Sequence, residues 1–265
     1  MLSFSQLPKL SRNKQTLLRN LNRKRNRYKE QCYLVEGERA VSQLLLSQPQ
    51  HIRFLVLEPK AIDSLKRISL NMNIYQVAEG ALSEFADTDQ PQGVMAVAEL
   101  PEAEPVKNLA ANSGPLVVFD RIRDPGNLGT MIRSALWFGA AGMLVSDGTV
   151  DPFHPKVVRS CAGSSGLLGW AHGDLKQMLD EAEEAGRKAV LLDMNSEAHP
   201  PDKLREQITV DEVALVIGNE AHGIDKQAHA ANRSYCYIPG TADAKSVESL
   251  NASIALAIAL FHFRG

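Results

Sequence analysis

The stretch Asp120-Arg-Ile-Arg-Asp-Pro-Gly-Asn-Leu-Gly-Thr-Met-Ile-Arg-Ser-Ala-Leu-Trp-Phe-Gly139 sets a glycine-rich, charged loop between a strand and a helix. The apolar run Leu116-Val-Val-Phe119 reads as the strand, and Leu128, Ile132, Ala135 and Leu136 recur at helical spacing after the loop. Asn127 is placed to cap or precede that helix. Arg133 falls on its flank beyond Gly129 and Thr130, and helical side chains lean toward the N-terminus, so its guanidinium is expected to aim back at the loop mouth. Alone, it reads equally well as a surface arginine of an amphipathic helix.

Two later segments repeat the arrangement of small and polar residues directly after an apolar strand. They are Val213-Ala-Leu-Val-Ile-Gly-Asn-Glu-Ala-His-Gly-Ile224 and Ile238-Pro-Gly-Thr-Ala-Asp-Ala-Lys-Ser-Val-Glu-Ser-Leu-Asn-Ala-Ser253. The three blocks, in this order, resemble the signature motifs of the SpoU or TrmH class of SPOUT RNA ribose 2′-O-methyltransferases. The matching positions are Asn127, Leu128, Gly129, Ile132 and Arg133, then Gly218, Glu220 and Gly223, then Ile238, Pro239, Ser249, Leu250 and Asn251. The likeness runs from about Pro115 to the end of the chain. It departs from the family in the third block, where the methionine common after Ile-Pro is replaced by Gly240 and charged residues follow.

The resemblance implies a deep trefoil knot, S-adenosylmethionine (AdoMet) as cofactor and a homodimer formed through the C-terminal domain. It puts Arg133 at the target ribose and its adjacent phosphate, as a group assisting deprotonation or as an electrostatic stabiliser, has Asn127 orienting Arg133 or the ribose, and makes Glu220, Ser249 and Asn251 further catalytic candidates. Glu220 either holds a neighbouring donor or caps its own loop, and Ser249 also reads as the N-cap of a final helix. Arginine normally stays protonated, so Arg133 is expected to stabilise developing alkoxide and position phosphate. Gly218, Ile238, Leu250 and Asp193 are the candidates for holding AdoMet. No metal is assigned, because the seven histidines and three cysteines show no ligand spacing.

In the C-terminal half, strands at 116–119, 142–146, 167–170, 188–193, 213–217 and 234–238 alternate with helices at 127–138, 156–161, 174–185, 225–230 and 249–263. That pattern predicts an α/β fold with a mainly parallel sheet and helices on both faces. In the N-terminal part, helices at 11–26, 38–46, 62–70 and 78–86 alternate with strands at 33–36, 52–57, 74–77 and 93–98, a smaller α/β sandwich. The order from Cys32 to Val41 after a basic helix resembles the substrate-binding domain fused ahead of many TrmH-class enzymes. Pro101, Pro105 and the small polar residues up to Pro115 suggest a linker. The expected division is an RNA-binding domain over 1–100, a linker over 101–114 and a methyltransferase domain over 115–265.

The net charge of −2 conceals an asymmetry. The first 50 residues carry ten Lys or Arg against three Glu, so the remainder carries −9. A basic face on an otherwise acidic protein suits a polyanion. Arg12, Lys14, Arg23, Lys24, Arg25 and Arg27 are therefore candidate RNA contacts, with His154, Lys156 and Arg159 as further ones; each also reads as a solvated surface charge. No apolar run reaches membrane-spanning length and no secretory leader is evident, so a cytoplasmic enzyme is expected. The reading favours ribosomal (23S) RNA as substrate, with tRNA, or an inactive RNA-binding protein, as alternatives.

Overall fold

The computed structural model describes residues 4–62, 72–195, 197–241 and 249–264. The helix expected over 62–70 and positions 242–248 of the third motif lie outside the described residues, apart from Ile62.

The basic N-terminal run forms two helices, α1 (Arg12–Asn20) and α2 (Lys24–Glu30), where the sequence pattern predicts one over 11–26. Side chains from the second helix take over the last carbonyls of the first: Asn26 Nδ2 donates to Asn20 O at 3.0 Å and Arg27 Nη1 to Leu21 O at 2.8 Å. The break is thereby satisfied without a continuing helical turn. Next come β1 (Cys32–Glu36), α3 (Glu38–Ser47), β2 (Ile52–Leu57), β3 (Ile74–Gln76) and β4 (Val94–Glu99). They build a sheet of order β1-β4-β2-β3, in which β4 is antiparallel to both neighbours and β3 parallel to β2. Leu18, Leu21, Leu34, Phe54, Val56 and Met95 fill its core. The helix expected over 78–86 is a single 3-10 turn, Ala81–Glu84.

The remaining elements are α4 (Val106–Ala110), β5 (Leu116–Phe119), α5 (Pro125–Trp137), β6 (Gly142–Ser146), α6 (Pro155–Ser160), β7 (Trp170–Gly173), α7 (Leu175–Glu184), β8 (Lys188–Leu192), α8 (Pro201–Arg205), β9 (Val213–Ile217), β10 (Ser234–Cys236) and α9 (Ala252–Arg264). The six strands are all parallel, in the order β10-β8-β9-β5-β6-β7. Alternate residues of β5 and β9 pack against α4 and α7 on one face, while Val117, Phe119, Leu215 and Ile217 are buried on the other. Burial on both faces is why these strands read as unbroken apolar runs. Part of the expected linker is core: Val106 and Leu109 of α4 are buried, and Glu104 N donates to Trp170 O at 2.8 Å. The helix expected over 225–230 is a 3-10 turn, Lys226–Ala228.

The residues divide into two compact units, Met1–Pro101 with Asp151–Leu167, and Glu102–Val150 with Leu168–Gly265. The stretch 151–167, expected inside a continuous second domain, therefore groups with the first unit. Its Phe153 ring meets Tyr33 at 5.2 Å, and Arg159 pairs with Asp87 at 2.9 Å.

Candidate active site

The parallel sheet reverses its direction of build between β5 and β9. The chain runs outward from β5 to β6 and β7, then crosses to β8 and β9. Such a switch point opens a crevice at the strands' C-terminal ends. Phe119 lies opposite Ile217 there, and Asp120 N donates to Ile217 O at 2.9 Å. Asp120, fully buried, ties the surrounding loops together: its carboxylate accepts from Ser146 Oγ at 3.1 Å, Asp225 N at 2.7 Å and Arg121 Nη2 at 3.2 Å. Arg121 takes a left-handed φ of 51°, pairs with Asp225 at 2.8 Å and offers its carbonyl to Asn219 Nδ2 at 3.0 Å. These positioning groups are invisible in the sequence, where Asp120 looks like any polar residue at a strand end.

The first-motif helix α5 starts at Pro125, and its cap is Asp124, whose carboxylate accepts the Asn127 amide at 2.7 Å. Asn127, expected to cap or precede the helix, sits inside the first turn, which frees its side chain. The Asp-Pro pair was the available signal, since proline favours the first helical position. Asn127 Nδ2 donates to Glu220 Oε1 at 2.8 Å. Asn251 Nδ2 reaches the same oxygen at 2.9 Å and Asn127 Oδ1 at 3.1 Å, and Ala252 N adds a further bond at 3.2 Å. One residue from each motif thus meets in a single hydrogen-bonded cluster. Glu220 is held by three donors and is the acceptor that joins the three loops.

Ser249 does not cap the final helix. Asn251 does so, its Oδ1 accepting from Ser253 N at 2.9 Å and Ser253 Oγ at 2.6 Å, and α9 begins at Ala252. Asparagine outranks serine here because its amide caps the helix with one end and reaches Glu220 with the other.

Asp193, Gly218, Ile238 and Leu250 line one cavity of about 310 Å³, together with Ser249, Glu220, Met194 and Tyr237. Gly218 closes its floor: a Cβ there would lie 2.4 Å from Gly223 C and 2.5 Å from Ile224 N, both backbone. The turn behind it is pinned by paired bonds between Asn219 and Gly223, the latter at φ 64°. The described lining holds two carboxylates, several apolar strand ends and no cationic side chain. That donor set fits AdoMet, which brings a sulfonium cation, an apolar-faced adenine and no phosphate. Cys236 in the wall stays a thiol, burial pushing it up to about 12. A second cavity, about 210 Å³, shares Asn219, Glu220 and Ala252 with the first and adds Ile122, Arg123, Asp124, Asn127 and Met131.

Arg133 is exposed, lines neither of these cavities and has no hydrogen bond or ion pair among the described residues.

Among the candidate RNA contacts, Arg12, Arg23, Lys24 and Arg25 are exposed, and Lys14 lies 4.9 Å over the Tyr75 ring. Arg27 is a correction. It is 1% exposed, with Nε and Nη2 both donating to Asp151 Oδ2, while Tyr28 and Phe153 N hold the other carboxylate oxygen. A guanidinium enclosed in this way cannot meet phosphate. Of the further candidates, Arg159 is paired with Asp87, His154 caps α6 by accepting from Lys156 N at 3.2 Å, and the Lys156 side chain is exposed.

Residues 114–261 match the model of the SpoU rRNA Methylase family, and residues 14–96 that of the MRM3-like substrate binding domain. The chain is 31% identical over 247 residues to the 23S rRNA (guanosine(2553)-2′-O)-methyltransferase RlmP of Bacillus subtilis, covering 93% of this chain and 94% of that one. Among solved structures it resembles the AdoMet-bound rRNA methyltransferase from Sinorhizobium meliloti, with a TM-score of 0.78 and 27% identity over 97% of this chain and 96% of the other. It also resembles a TrmH-family RNA methyltransferase from Porphyromonas gingivalis, with a TM-score of 0.80 and 27% identity over 96% and 98%.

Proposed function

The chain belongs to the SpoU rRNA methylase family, and from that premise we propose that it transfers the methyl group of AdoMet to a ribose 2′-hydroxyl of 23S ribosomal RNA. The observation that carries the reading is the adjacency of two cavities across Glu220, one whose described lining carries no cation and includes the expected cofactor residues, the other beside Asn127. AdoMet, when bound, supplies an electrophilic methyl group on a cationic sulfur. Backbone groups around Gly218, Ile238 and Leu250 would hold its adenosine part, and the Asp193 and Glu220 carboxylates favour its positive charge. Family likeness also supports the deep trefoil knot.

A 2′-hydroxyl is a weak nucleophile, so the residues' main task is to orient it and to offset its developing charge. The Asn127–Glu220–Asn251 cluster keeps the three motif loops in register at the wall between the cavities, and Ser249 supplies a hydroxyl at the cofactor side. Arg133, exposed on the flank of α5, is the cation we assign to the alkoxide and the adjacent phosphate once RNA is bound.

We assign RNA recruitment to 1–100 and transfer to 115–265, with Arg12, Lys14, Arg23, Lys24 and Arg25 as the phosphate-binding set. The protein acts as a homodimer. Supporting this, Trp137, Ile254 and Phe261 are exposed by 77, 49 and 65% on the packed helices α5 and α9, an apolar surface that association would cover. A sedimentation mass near twice 29.0 kDa is expected. The cytoplasm is the proposed compartment; among the described residues no helix is long and apolar enough to cross a membrane.

The test is transfer of tritiated methyl from AdoMet to in vitro transcribed 23S rRNA, with 16S rRNA and tRNA in parallel, followed by mapping of 2′-O-methyl positions. Methylation confined to 23S rRNA is expected. Transfer to tRNA alone would move the substrate assignment, and RNA binding without transfer to any of the three would make the chain a non-enzymatic RNA binder.

A further inference from the structure

At the second cavity one arginine is left unengaged among the described residues. Arg123 is exposed, lines the second cavity, and takes part in no hydrogen bond or ion pair among the described residues. No carboxylate of the cavity lining forms an ion pair with it among the described residues. Asp124 is engaged in capping α5, and Glu220 Oε1 already receives three donors. Arg121, two positions earlier, is tied to Asp120 and Asp225 and cannot serve a ligand without releasing the second-motif loop.

We infer that the second cavity receives the target ribose and that Arg123 binds a phosphodiester flanking it, an inference that rests on the methyltransferase reading. In-line displacement requires the attacking oxygen to approach the methyl from the side opposite sulfur, so the ribose must occupy space contiguous with the cofactor cavity but outside it. The second cavity meets that condition, because Asn219, Glu220 and Ala252 form a wall common to both. Every internal ribose of an RNA chain brings a phosphodiester on each side. The Asp124 and Glu220 carboxylates in the lining would repel those anions, and an uncommitted guanidinium in the lining of the second cavity offsets the repulsion. Its planar fork suits two phosphate oxygens. With a phosphodiester on either side of the ribose, Arg123 and Arg133 do not compete for one partner.

The test uses Arg123→Ala and Arg123→Lys in the full chain, with in vitro transcribed 23S rRNA and tritiated AdoMet under single-turnover conditions. For Arg123→Ala the half-saturating RNA concentration should rise roughly tenfold or more, as expected when a charge-assisted hydrogen bond is removed, with a smaller fall in the rate at saturation. AdoMet affinity should stay within twofold, which also reports that the domain is folded. The slope of log half-saturation against log salt should shrink by roughly 0.7 to 0.9, the share of one neutralised phosphate. Arg123→Lys should keep that slope and most of the binding. Unchanged half-saturation in Arg123→Ala overturns the inference. So does weakened binding with an unchanged slope, which would mean that Arg123 meets a base. If the unaltered chain transfers no methyl to any RNA, the methyltransferase reading fails with it; transfer that is indifferent to Arg123 removes this inference alone.

Discussion

Arg27 and Arg133 show how little a residue's type says about its use. Arg27 stands in a basic run yet is enclosed with Asp151. Replacing it with Ser would leave a buried carboxylate without its counter-charge, a change that typically costs about 3 to 5 kcal/mol. Arg27→Ser should therefore lower the urea midpoint sharply, whereas Arg25→Ser, on an exposed side chain, should move stability by no more than about 0.5 kcal/mol. Arg133 is the converse case, exposed and without a partner among the described residues. Arg133→Ala should leave folding and AdoMet affinity unchanged and cut the methyl-transfer rate by roughly one to two decades, the equivalent of about 1.5 to 3 kcal/mol. Arg133→Lys should restore little, because a point charge lacks the planar fork. A wild-type rate in Arg133→Ala would remove it from the mechanism.

At the scale of elements, the site depends on loops that are only as good as their backbone. Gly218 follows β9 where the 219–223 turn folds back upon it. A methyl group at that position meets main-chain atoms that cannot rotate aside. Gly218→Ala should displace the turn, draw Glu220 away from Asn127 and Asn251, and abolish AdoMet binding in titration calorimetry. Overpacking of this kind costs about 1 to 3 kcal/mol, so the variant should stay folded, and circular dichroism can verify that. Retained binding would show that the turn can yield. Much at this scale is legible in the sequence. The strands β5, β6, β8 and β9 and the helices α5, α7 and α9 fall near their expected places because long apolar periodicity marks them. The starts of α5 and α9 differ from expectation by two or three residues. The signals there, Asp124 against Asn127 and Asn251 against Ser249, are between residues that all cap well, and tertiary hydrogen bonds chose between them.

For the whole molecule, the excess of positive charge in the first 50 residues should act through phosphates and leave the chemistry alone. Arg23, Lys24 and Arg25 changed together to Ser should weaken RNA binding and reduce the slope of log affinity against log salt by roughly 0.7 to 0.9 for each phosphate no longer neutralised. AdoMet affinity should not change, since these side chains lie outside the unit that holds the cofactor cavity. Unaltered RNA affinity and slope would reduce the run to a solvated helix surface. Arg27 is left out of this set because its replacement would destabilise the unit whose RNA binding is being measured.

The α/β class, the parallel sheet, the order of three strand-end motifs and, through them, the family were readable in the chain, because periodicity and short motifs are local properties that survive without coordinates. Family likeness also marked Asn127, Asp193, Gly218, Glu220, Gly223, Ile238, Ser249 and Leu250 among the residues that line the two cavities. Which of those residues touch was set by the folded arrangement. Glu220 as the shared acceptor of Asn127 and Asn251, Asp120 as the anchor of the surrounding loops, Arg27 as an internal ion and 151–167 as part of the first unit all rest on partners 26 to 124 positions away. Separation of that size leaves no periodic trace in a chain, and packing alone selects among side chains of equal charge and polarity.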